Sequence, residues 1–292
     1  MRTEQEMMEL ILDVARKDAR IRAVYLGGSR CNQNAPRDIF QDFDIVYVVH
    51  DIQPFLKDPG WIDVFGERLL MQLPAENDRA MGLDVDEESY AYLIQLADGN
   101  RVDCVLKTLK ASLVELSESR LKKVLLDKEG ILPVLPEASD ETHWVQRPSK
   151  KAYDACCNEF WWIWLNAAKG LWRGELLYAM EMLDACIRPE LLRMLSWMAG
   201  ARQNFGCSVG KCGKYLERFL EKEEWEAYLA TFFRADPEEI WQAADVMCAL
   251  FSDTAKKVGE MLGYPYTEAW ETGSRTYLER VRSLPKDAEN IF

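Results

Sequence analysis

An apolar run, Ile21-Arg22-Ala23-Val24-Tyr25-Leu26, breaks into Gly27-Gly28-Ser29-Arg30, and a second, Ile45-Val46-Tyr47-Val48-Val49, is entered through Asp42-Phe43-Asp44. Short β-branched and aromatic runs bounded by turn residues read as strands. Side chains alternate faces along a strand, so Asp42 and Asp44 project together while Phe43 turns into the core. Glycines let backbone N–H groups come close to a polyphosphate. Two carboxylates on one face supply the hard oxygens that Mg²⁺ takes, and its shell is usually completed by water and substrate phosphate. A third acid, Asp103, follows in Arg101-Val102-Asp103-Cys104-Val105. Three acids suffice for two ions, one activating an attacking oxygen and the other steadying the group that leaves phosphorus. A small-residue loop, paired acids and a later third acid together imply a metal–nucleotide site, although each part alone is common in ordinary turns and strand ends.

Around this pattern the local signals are consistent. Tyr90–Leu96 and Arg101–Leu106 flank Ala97-Asp98-Gly99-Asn100, an Asp-Gly hairpin signal that puts Asp103 on a strand. Thr3 followed by Glu6 predicts a capped helix carrying Met7, Met8, Ile11 and Val14. A further helix is expected near 111–128, then a Pro-containing connection over 131–149. Beyond it come long amphipathic stretches at 150–169, 174–199, 213–230 and 237–261, and residues 136–292 hold nine of the ten Trp residues, which predicts a helical bundle. The expected domains are 1–135 and 136–292. Trp161, Trp162 and Trp164 point around more than one helical face, so the cluster reads mainly as packing. Gly206-Cys207-Ser208-Val209-Gly210-Lys211-Cys212 is not a Walker site: one residue is missing between the glycines, and Cys stands where magnesium needs Ser or Thr.

Composition narrows the classes. At 292 residues and 48% hydrophobic the chain can bury ample core. A net charge of −13 argues against nucleic acid, which needs a positive stripe, and suits a cationic acceptor. Eight scattered cysteines without a C-x-x-C pair, and only two histidines, indicate neither a zinc knuckle nor a disulfide framework; reduced, mostly buried thiols are expected. No apolar leader pattern or membrane-length stretch is present, so a cytoplasmic protein with no membrane partner is expected.

The order of loop, paired acids and third acid resembles the polymerase-β-like nucleotidyltransferases. A closer resemblance is carried by Gly28-Ser29-Arg30, Phe40-Gln41-Asp42-Phe43-Asp44-Ile45-Val46, Asp98-Gly99-Asn100-Arg101-Val102-Asp103, Cys157-Asn158-Glu159-Phe160-Trp161-Trp162 and Glu190-Leu191-Leu192-Arg193-Met194-Leu195-Ser196-Trp197. These segments resemble the aminoglycoside 6-adenylyltransferases, the streptomycin-modifying enzymes, nearly end to end. The resemblance implies an α+β chain in which an N-terminal α/β domain with a mixed sheet holds ATP and Mg²⁺, and a helical C-terminal domain carries the acceptor site. It further implies AMP transfer to an aminoglycoside hydroxyl, with streptomycin the first acceptor to consider. Gly28, Ser29 and Arg30, with Lys211 and Lys214, are expected at the phosphates. Asp42, Asp44 and Asp103 are expected at the metal, Asp103 also serving the acceptor hydroxyl. Glu181 stands where the family usually has an aspartate acting as general base, so a longer side chain is expected in that role. Another cationic acceptor, a protein side chain, or a non-catalytic nucleotide sensor on the same fold remain the alternatives.

Overall fold

A computed structural model describes residues 1–292. The chain forms two compact units, Met1–Thr142 and His143–Phe292. The expected division was after residue 135. Residues 136–142 go with the first unit because their side chains and backbone are tied there: Gln33 Nε2 donates to Glu137 at 2.9 Å, Ser139 N to Arg120 O at 3.1 Å, and Arg120 pairs with Glu141.

In the first unit α1 (Glu4–Lys17) starts at a capping box in which Thr3 Oγ1 accepts from Glu6 N and Glu6 accepts from Thr3 N. Met7, Ile11 and Ala15 form its buried stripe. Strands β1 (Ile21–Leu26), β2 (Phe43–Val49), β3 (Arg68–Gln72), β4 (Ser89–Leu96), β5 (Arg101–Thr108) and β6 (Lys123–Asp127) make one sheet in the order β3-β4-β5-β2-β1-β6. Only β2 and β5 run parallel; the other neighbours are antiparallel. Short helices α2 (Gln53–Leu56) and α3 (Pro74–Ala80) and the longer α4 (Leu109–Glu118) complete the unit.

Alternation gives the sheet two different faces. Phe43, Ile45, Tyr47, Val102, Cys104, Leu106, Tyr92 and Ile94 are buried in one cluster with Met7 and Ile11 of α1, and Tyr47 Oη donates to Ile11 O at 2.9 Å. On the other face Ala23, Tyr25, Val46 and Val48 pack with Leu116 of α4. That second face carries the acids at the beginning of β2 and β5.

The helix expected near 111–128 is α4 followed by a strand. Val124-Leu125-Leu126 suits either periodicity; antiparallel pairing of Lys123 with Leu26 and of Leu126 with Val24 makes it β6.

The second unit contains no strand. Its helices are α5 (Lys150–Arg173), α6 (Leu176–Glu181), α7 (Arg188–Arg202), α8 (Lys222–Leu229), α9 (Pro237–Leu262) and α10 (Glu268–Ser283). Ser149 caps α5, and Gly174 ends it in the left-handed region at φ 79°. A π-helical turn, Met182–Ile187, joins α6 to α7 without a break. The stretch expected as one helix over 213–230 is instead two 3₁₀ turns and α8, because Gly210, Cys212 and Gly213 all take positive φ. Helix α10 was not expected. Trp161 and Trp164 lie in the core beside Phe160 and Phe251, while Trp162 is 61% exposed, so two of the three tryptophans pack. All eight cysteines are free thiols. No helix is long and apolar enough to cross a membrane. With a mixed sheet and a helical second unit, the chain is α+β.

Candidate active site

Register places the acids in one row across the sheet. Asp44 and Asp103 are partners in the parallel β2–β5 pair, and Gly27 N donates to Asp44 O at 2.8 Å. Leu26 pairs with Lys123, which brings Lys122 beside Gly27. The row therefore reads Lys122, Gly27, Asp44, Asp103. Asp42 lies two residues before Asp44 on the same face.

The glycine loop fits around Asp44 at close range. Gly28 has φ +67°, and a Cβ there would fall 1.9 Å from Asp44 Oδ2, so only glycine is accommodated. Ser29 uses its carbonyl to accept from Gln41 Nε2 at 3.3 Å and from Asn32 N at 3.2 Å, and its hydroxyl stays out of those bonds. The Arg30 side chain is largely covered, and each of its three nitrogens has a partner: Nε donates to Asp42 O at 3.0 Å, Nη2 to Gln41 O at 2.8 Å, and Nη1 pairs with Glu4 at 3.0 Å. Its guanidinium also lies 3.7 Å from the Phe43 ring centre. The arginine thus braces the entry to β2 and fixes where Asp42 and Asp44 begin.

Electrostatically Asp44 and Asp42 are under strain. Burial pushes the Asp44 carboxyl above the usual range, and the charges of Asp103 and Asp42 push the same way, against Lys122 and Arg101. Asp42 is raised as well, again chiefly by burial, with Arg101 opposing and Asp103 adding to the shift. Arg101 Nε lies 2.9 Å from Asp103 Oδ1 and 3.6 Å from Asp42 Oδ2. No three His, Cys, Asp or Glu side chains close into a metal cage by themselves. The fit to a divalent ion rests on the donor set: crowded carboxylate oxygens on one face, with like charge raising Asp42 and Asp44, which an added cation relieves.

The remaining expected residues belong to the second unit. Glu181 is the exposed last residue of α6, where the helix passes into the π turn, a feature that often marks functional positions. Asp184, within that turn, pairs with Arg188 at 2.9 Å. Lys211 and Lys214 are exposed on the glycine-bounded loop, and Lys214 Nζ lies 5.0 Å from the centre of the Tyr215 ring.

A family model described as Streptomycin adenylyltransferase matches residues 1–281. The chain belongs to that family. A curated relative, "Aminoglycoside 6-adenylyltransferase" of Bacillus subtilis (strain 168), is 38% identical over 96% of this chain and 98% of its own. Proteins of the same name from Campylobacter jejuni and Staphylococcus aureus are 36% and 34% identical, each over 91% of this chain and over 91% and 94% of their own lengths. A solved aminoglycoside 6-adenyltransferase from Bacillus subtilis matches at 33% identity over 97% of this chain and 100% of its own, with a TM-score of 0.49. Members of this family are nucleotidyltransferases, and the chain is an enzyme of that class.

Two cations beside the acid row, Arg101 and Lys122, are not among the residues expected from the sequence. Arg101 shares a face with Asp103 by simple alternation, a signal that was available. Lys122 enters the row only because β6 pairs with β1, a pairing that a segment equally acceptable to a helix does not announce.

Proposed function

We propose that the chain transfers AMP from ATP to a hydroxyl of an aminoglycoside, streptomycin first, releasing pyrophosphate. The observation that carries this reading is the fit of Gly28 around Asp44, with Asp103 as the next residue in the row and Asp42 two positions before on the same face. The names of the relatives supply the acceptor class.

In this reading Gly28 and Ser29 receive the phosphates with backbone and hydroxyl, and Arg30 holds the loop in register. Asp42, Asp44 and Asp103 would hold Mg²⁺, which when bound supplies charge to draw phosphate oxygens and activate the attacking oxygen. Arg101 engages two of the same carboxylates and so competes with the ion for them. Glu181 takes the proton from the acceptor hydroxyl, and Lys211 and Lys214 add positive charge at the phosphates. The acceptor's charge is complementary to the −13 of the chain. Dependence on ATP suits a cytoplasmic enzyme.

The test mixes purified protein, MgATP and a panel of aminoglycosides, reads pyrophosphate, and locates the new phosphoester on the product by mass and magnetic resonance. Release with streptomycin is expected. Release only with another cationic acceptor, or with a protein, replaces the acceptor; nucleotide binding without release replaces catalysis by sensing.

A further inference from the structure

Beside the acid row stands a second cluster of charge that the reaction as described does not use. Glu115 of α4 accepts from Tyr25 Oη at 2.8 Å and forms close ion pairs with both Lys107 and Lys122. Lys122 is 15% exposed at its side chain, and its amine lies 5.6 Å from the centre of the Tyr25 ring. A Cβ on Gly27 would come 2.8 Å from Lys122 Nζ, so the ammonium reaches over Gly27 toward the loop. An ammonium has three N–H donors, and Glu115 uses one.

Lys122 also lines a cavity of about 640 Å³ that opens beside this loop. Its charged walls are Arg30, Arg37, Lys122 and Lys123 against Asp127 and Glu137, an excess of cations in a strongly acidic chain. Asp127 is occupied as acceptor for Leu132 N at 2.8 Å and Glu129 N at 3.2 Å, and Glu137 accepts from Gln33. Arg30 is engaged by β2 and Glu4. Lys122 is the cation here that is both held in place and adjacent to Gly27.

We propose that Lys122, oriented by Glu115 and Tyr25, binds the two phosphates that are not transferred. This rests on the reading of the chain as an ATP-dependent adenylyltransferase. In the step itself the acceptor oxygen bonds to the α-phosphorus, the bond from that phosphorus to the bridging oxygen breaks, and its electron pair leaves on pyrophosphate. The acceptor's proton goes to the general base. Lys122 offsets the negative charge that accumulates on the departing pyrophosphate.

Direct titration of the full-length protein with MgATP and with AMP tests the assignment. Lys122→Met should weaken MgATP about ten- to a hundred-fold, the range for losing a charge-assisted contact, and leave AMP within about two-fold. Lys122→Arg should restore most of the loss. If Lys122→Met fails to fold, Lys122→Gln, which removes the charge but keeps a donor of similar reach for Glu115 while Lys107 and Tyr25 stay paired with it, should give the same selective loss. Unchanged MgATP affinity, or equal losses for MgATP and AMP, overturns the assignment of Lys122. Failure of the parent protein to bind MgATP overturns the adenylyltransferase reading and takes this inference with it.

Discussion

Two neighbouring carboxylate clusters, Glu115 on α4 and the acid row on the sheet face that α4 packs against, stand in opposite circumstances. Glu115 is held by two lysines and a tyrosine; burial works to raise its pKa, but the hydrogen bonds from Lys107 and Lys122, Lys122's charge and Tyr25 bring it down to about 2. Asp44 is the more deeply placed acid of its row, has no ion pair within 4 Å, and is pushed up by burial and by its neighbours' like charge. The Glu115 cluster is electrostatically complete within the chain. The acid row is incomplete within the chain, the condition expected where a ligand supplies the missing charge.

The contrast can be broken most severely at Asp44. Asp44→Asn removes a ligand charge worth several kcal/mol of barrier, so kcat should fall on the order of a thousand-fold. Melting temperature should hold or rise, because the variant also relieves repulsion. A folded Asp44→Asn enzyme with parental turnover would end the assignment of this row. Next comes Glu181, proposed as base: Glu181→Gln should lower kcat by roughly 10²–10⁴ with ATP affinity nearly unchanged, whereas Glu181→Asp should retain activity. Parental kcat in Glu181→Gln would move the base elsewhere, Asp103 and Asp184 being next.

In the Glu115 cluster the loss is one of stability. Glu115→Gln leaves two lysines without their anion and should cost about 2–4 kcal/mol in urea unfolding. The pH dependence has a definite sign. The folded pKa lies below the unfolded value near 4.5, so the contribution of Glu115 is complete above about pH 4.5 and fades as pH falls toward about 2. Glu115→Gln should therefore flatten stability across that window; an acid limb identical to the parent's would mean that the cluster does not hold the fold. The smallest effect concerns the acceptor. If it meets an acidic surface, its KM should rise a few-fold between low and physiological salt, and a KM indifferent to ionic strength removes the charge-matching argument.

What could be read from the sequence was local. β1, β2, β4 and β5 announce themselves through alternation and β-branching, and Asp42, Asp44 and Asp103 fall on one face for the same reason. β6 was missed because Lys122-Lys123-Val124-Leu125-Leu126 is equally acceptable to a helix, and the decision comes from pairing with β1, nearly a hundred residues earlier. Lys122 was lost with it. Helix α10 was obscured by its many charged residues, which leave only Ser274, Leu278 and Val281 with Glu271 as its buried positions. The break before α8 depends on positive φ at Cys212 as well as at the glycines, a conformation that no residue pattern at Cys212 announces. Arg30, expected at the phosphates, also braces the loop, because Gln41, Asp42 and Glu4 all converge on it.

The parallel pairing of β2 with β5 also has a kinetic consequence. Asp44 and Asp103 meet only when distant parts of the chain close on each other, with β3, α3 and β4 in the intervening loop. The β4–β5 hairpin needs only the Asp98-Gly99 turn. Closing the longer loop costs more chain entropy and is the slower event. During synthesis the paired acids emerge well before the strand that crowds them. The repulsion that makes the row receptive to a cation is thus imposed late, after local elements able to resist it have had time to form.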